Sequence, residues 1–93
     1  MSEMAIMTQS PGIFRNGAAV RRHAAWLAER GLDKTIMDMP RGEFRMRDLD
    51  HPPGNMVRRL KSDGIVQKVR NGGPKGTIWK RGINWRVFAE VFK

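Results

Sequence analysis

Apolar positions along residues 17–30 recur at helical spacing. Val20, Ala24, Leu27 and Gly31 lie three or four apart and would share one buried face. Asn16 is the N-cap expected before this helix and Gly31 its stop. Ala19, His23 and Trp26 form the neighbouring stripe, which puts Trp26 at the rim of the core, while Arg21, Arg22, Glu29 and Arg30 fall on the solvated side. Residues 32–39 fit either a short extra turn or a connector that carries Ile36 and Met37 inward, and Pro40 with Gly42 ends that stretch. Residues 1–12 have no period, close on Ser-Pro-Gly and read as a flexible tail ahead of one domain over 13–93.

The pattern then changes character. Residues 43–46 alternate and predict a short strand around Phe44, followed by little more than a turn of helix over 47–50 with Leu49 inward. His51-Pro52-Pro53-Gly54 forces a corner, because each proline disfavours helical geometry in its predecessor, while Pro53 can itself open a helix. The chain is expected to be helical over 53–62 with Pro53, Val57 and Leu60 facing the core, and Gly64 ends it. Strand-like runs over 65–70 and 77–81 flank the loop Asn71-Gly72-Gly73-Pro74-Lys75-Gly76, a hairpin of open register. Asn84 is a second N-cap candidate, and Trp85, Phe88 and Phe92 share one face of a last helix over about 84–92.

Length and charge narrow the classes. A chain of 93 residues is one small domain, and at that size only roughly 60–65% of the unfolded surface is buried. The absence of cysteine excludes disulfides and thiolate metal sites. No apolar run approaches the roughly 20 residues of a membrane span, and Glu3 without early basic residues does not fit a secretory signal, so no membrane contact and cytoplasmic residence are expected. Eighteen Lys/Arg against nine Asp/Glu give a net charge of +9. The excess is concentrated: positions 41–81 hold eleven basic and four acidic residues, whereas positions 1–14 contribute only Glu3. Such a field favours a polyanionic partner, because each phosphate contact releases condensed counterions.

The order helix, corner, arginine-bearing helix and basic hairpin resembles the winged helix-turn-helix family of DNA-binding domains. The likeness spans roughly residues 16–81. It rests on Val57 and Leu60, three apart on the second helix of the unit, and on the Gly64-Ile65-Val66 entry into the wing, with Phe44 and Leu49 as first-strand and second-helix core positions. The chain departs from the family in the shortness of its second helix and in His51-Pro52-Pro53-Gly54, which replaces a hydroxyl-rich turn. The fold implied is α+β, mostly α: a three-helix core plus a β-hairpin wing over about 65–81, with an additional C-terminal helix. The function implied is sequence-selective binding of double-stranded DNA by a small transcriptional regulator.

The residues argue for the same chemistry independently. With Pro53, Val57 and Leu60 inward, Gly54, Asn55, Arg58, Arg59 and Ser62 lie on the exposed side of the helix. Asn can bridge adenine N6 and N7, and Arg can bridge guanine O6 and N7. Gly54 lets the backbone approach a phosphate. The competing reading pairs Arg58 and Arg59 with Asp63 or Asp50. On the hairpin, Lys68, Arg70, Lys75, Lys80 and Arg81 place five charges, with Arg70 and Lys75 flanking the tip as the expected backbone contacts. A ribbon kept soluble by lysines is the alternative. Trp79 is expected to support the core or the wing.

His23 and His51 have no partner at metal-ligand spacing, the loop over 72–76 lacks the length and the Ser/Thr of a phosphate-binding loop, and no nucleophile or paired-carboxylate arrangement is legible. No cofactor and no enzymatic activity are therefore expected. Trp85, Phe88 and Phe92 either close the domain against the first helix or form a homodimer surface that sets two recognition helices about 34 Å apart. An RNA- or ribosome-associated module, or an interaction domain docking on an acidic protein, would use the same scaffold.

Overall fold

The computed structural model describes residues 12–15 and 17–93. Asn16 and most of the expected tail lie outside the described residues. Helix α1, Ala18–Glu29, buries Val20, Ala24 and Leu27, the stripe its spacing predicts. Trp26 packs half-buried against the core. Helix α2, Leu32–Asp38, resolves the choice between turn and connector in favour of a helix that buries Leu32, Thr35 and Ile36. Met37 does not go inward; it is 44% exposed, and Met39 fills the core position. Leu32 and Ile36 stack four apart, so the next residue is rotated about 100° off their face.

Phe44 forms a single antiparallel bridge with Trp79, its N–H donating to Trp79 O at 2.9 Å and its carbonyl accepting from Trp79 N–H at 2.8 Å. The strand expected over 43–46 is reduced to that pair. A 3-10 turn at Met46–Asp48 follows, slightly earlier than the turn expected over 47–50, and leaves Leu49 buried behind it. Pro53 is buried but opens no α-helix, because Gly54 follows in the left-handed region at φ 62. The helix expected over 53–62 is instead a 3-10 turn, Gly54–Met56, that leads into helix α3, Val57–Ser62.

The end of α3 is tightly specified. Gly64 adopts φ 73, its N–H donates to Lys61 O at 3.0 Å, and Ile65 N–H donates to Leu60 O at 3.0 Å. These two bonds satisfy the last carbonyls of the helix, and the accompanying apolar contact pairs Leu60 with Ile65, both fully buried. Gly64→Ala is therefore expected to cost about 1–2 kcal/mol, the penalty of a left-handed L-residue. Urea unfolding of the variant checks this; an unchanged midpoint would remove the argument for glycine at this turn.

Strands β1, Val66–Arg70, and β2, Ile78–Arg81, pair Val66 with Arg81, Gln67 with Lys80, Lys68 with Trp79 and Arg70 with Ile78. Val69 is the extra residue where the register shifts. Helix α4, Trp85–Phe92, packs against both α1 and α2, with Phe88 fully buried and Trp85 Nε1–H donating to Ile36 O at 2.9 Å. It is part of the core and not an addition to it. Asn84 precedes α4, but its side chain makes no capping bond. The buried amide instead donates to Gly12 O and Asp63 O and accepts from Phe14 N–H, which ties the segment before α1 to the end of α3.

Among the described residues the chain is thus α+β and mostly helical, with four helices and one two-stranded antiparallel hairpin, an arrangement compatible with a winged helix. No described helix is long and apolar enough to cross a membrane.

Candidate nucleic-acid interface

Packing of α3 against β1 leaves an open groove between the helix and the hairpin. Gly54, Asn55 and Arg58 line one wall, Lys68, Thr77 and Trp79 the other, and Lys61 also faces it. Arg58 and Lys61 are three apart on α3 and so lie on one side of it. Lys68 stands opposite Trp79, whose burial at 9% exposed makes it wall and support for the hairpin. No carboxylate lines the groove, and among the described residues Arg58, Lys61 and Lys68 make no ion pair. Three unneutralised cations around a backbone-accessible glycine and an exposed amide form a site suited to an anionic strand. Lys61 was absent from the residues expected to bind, although its spacing from Arg58 was readable.

Arg59 leaves this group. It lies about one residue's rotation around α3 from Arg58, and its Nε–H donates to Asp63 Oδ2 at 3.2 Å while its guanidinium stands 4.8 Å from the Trp26 ring. Asp63 Oδ2 also bonds His23 Nε2 at 2.6 Å. The His23 ring is stacked between Phe14 and Trp26, with centroids 5.8 and 5.6 Å away. Asp63 therefore ties the C-terminal end of α3 to α1, forty residues away in sequence. Ser62 is exposed on the last turn of α3, outside the groove lining.

The corner before α3 is held in a similar way. His51 Nδ1 bonds Asp38 Oδ2 at 2.6 Å, and Thr35 Oγ1–H donates to the His51 carbonyl at 2.5 Å. Both histidines, which the sequence placed on the first-helix stripe and in the corner without a metal site, join the segment around α3 to the helices behind it. Neither link could be read from the chain, since the partners are remote in sequence.

The hairpin divides its charges. Arg70 forms a two-point pair with Glu43, at 2.9 Å from Nη2 and 3.1 Å from Nη1. The Arg70 hydrogen bond, aided by the Arg70 and Lys80 charges, holds the Glu43 carboxyl below its ordinary value, and the same contact raises Arg70. Lys80 pairs with Gln67, one residue out of phase with Lys68, and so projects from the other face of the ribbon. Lys75 is exposed in the 3-10 turn Gly73–Lys75 at the tip, where its carbonyl accepts from Arg47 Nη2. Arg81 points away from the tip: its Nε and Nη2 donate to Met39 O at 3.1 and 2.7 Å.

No family model, curated protein or solved structure matches this chain. The groove must therefore be read from its own geometry. Among the described residues, no group of three His, Cys, Asp or Glu side chains is placed to hold a metal ion.

Proposed function

We propose that this protein is a winged-helix module that binds double-stranded DNA selectively and acts as a small transcriptional regulator. The observation that carries the reading is the acid-free groove between α3 and the hairpin, with Arg58, Lys61 and Lys68 unpaired around it. Asn55 and Arg58 on its helical wall are the base readers, and Gly54 allows close approach to a phosphate. Lys61, Lys68 and Lys75 hold the backbone. Lys80 adds a charge from the other face of the ribbon. Arg70 is held by Glu43 and joins only where phosphate displaces that carboxylate, and Arg59 and Ser62 lie outside the groove. Because α4 uses Phe88 in its own core, the reading favours a single domain over a dimer built through that helix.

Selection of bound duplexes from a random pool tests the proposal. A consensus sequence supports base readout, and a repeated half-site would restore the dimer. A preference for structured RNA at matched salt would sink the duplex reading. On the selected site, Arg58→Ala should lose about 1–3 kcal/mol and flatten the sequence preference. Lys68→Ala should weaken every duplex alike and reduce the salt slope by about one. Filter binding on matched and scrambled duplexes separates the two. Equal losses on both duplexes for Arg58→Ala would remove it from base reading.

A further inference from the structure

A second cationic groove of about 560 Å³ lies between α2, α4 and the base of β2, and it shares no residue with the first. Arg41, Arg81, Arg86 and Lys93 line it beside Trp85, and its one acid, Glu90, is paired with Lys93 at 3.6 Å. Arg81 is the fixed member. Its guanidinium lies 3.5 Å from the centre of the Trp85 ring, and its two bonds to Met39 O lock the planar group in place. Those bonds leave Nη1 free of hydrogen bonds among the described residues, and no carboxylate comes within ion-pair distance of Arg81. Burial lowers the affinity of Arg81 for its proton, and the neighbouring Arg41 charge lowers it further. A partly buried cation beside a like charge, with no counter-charge, is a conflict that a bound anion relieves.

We propose that this groove is a binding site for a small phosphorylated metabolite with two adjacent phosphates, such as a nucleoside diphosphate. Guanidinium forks match phosphate oxygens in two-point contacts, and three of them suit more than one phosphate. The volume is in the range of small-ligand sites, about 300–1,000 Å³. The exposed side chain of Met37 and the half-buried Trp85 give the rest of the molecule an apolar resting place.

Calorimetric titration of the full chain with ADP and with inorganic pyrophosphate tests this, without magnesium and at constant ionic strength. Saturable one-to-one binding is expected for both. Arg41→Ala combined with Arg86→Ala should weaken it roughly a hundredfold or more, since it removes two charge-assisted contacts. Both side chains are exposed, and among the described residues neither makes a hydrogen bond or ion pair, so the double variant should keep its melting temperature. Arg58→Ala with Lys68→Ala in the other groove should leave the affinity unchanged. Absent saturation, affinity retained in the first double variant, or equal loss in the second would each overturn the assignment. So would a loss of duplex affinity in the first variant as large as that from Lys68→Ala, which would make the groove part of a nucleic-acid contact. Because the titration contains no DNA, its failure leaves the duplex proposal standing.

Discussion

Raising monovalent salt from about 50 to about 200 mM is expected to weaken duplex binding by roughly 10³-fold, because about six phosphate contacts give a log–log slope of about −5. The structure supplies cations for that footprint. Arg47, Arg58, Lys61, Lys68, Lys75 and Lys80 lie on α3, on the hairpin or on the turn that touches its tip, and none makes an ion pair among the described residues. Arg70 is left out because Glu43 already neutralises it. The slope therefore measures how much of the hairpin takes part. A slope of about −2 to −3 would confine contact to the groove residues Arg58, Lys61 and Lys68. Affinity independent of salt would defeat the polyanion reading altogether. Fluorescence anisotropy on one labelled duplex across a salt series gives the number directly.

Replacing Phe88 by alanine is expected to cost about 3–5 kcal/mol, the range for deleting a fully buried phenyl ring. Small domains have about 5–15 kcal/mol in total, so the variant should be marginal at physiological temperature. Phe88 has no exposed surface and meets Phe14 edge-on at 5.1 Å and His23 edge-on at 5.6 Å. It sits where α4 closes over α1 and α2. The loss should extend beyond one cavity, since His23 orients Asp63 at the end of α3 and Asn84, at the start of α4, holds the segment before α1. Urea unfolding followed by tryptophan fluorescence measures it. A cost below about 1 kcal/mol would mean that α4 is an addition to a domain that stands without it.

Much of the architecture was legible because local chemistry dictates it. The stripe of Val20, Ala24 and Leu27 names the buried side of α1, and Leu60 with Gly64-Ile65 announces how α3 ends. Both depend on neighbours within one or two turns. The corner was legible as a corner but not in detail. Whether Pro53 opens a helix or caps a turn depends on the sign of φ at Gly54, which glycine leaves open and the surrounding packing decides. Met37 was misplaced for a related reason: its side could be assigned only once α2 was known to be helical.

The candidate site divides along the same line. Sequence alone determined that this small chain is basic, that its positive charge is gathered on the corner, the arginine-bearing helix and the hairpin, and that Arg58 lies on the outer side of that helix. Charge and helical period are properties of the chain itself. Only the tertiary structure decided which cations remain free. It turned Arg59 onto Asp63 and Arg70 onto Glu43, brought Lys68 to Arg58 and Lys61, and fixed both ends of the segment around α3 through His51–Asp38 and His23–Asp63. Except for Arg59–Asp63, these partners are not neighbours along the helix or hairpin, and the strength of a charge pair falls with distance in space, a quantity the order of residues does not contain.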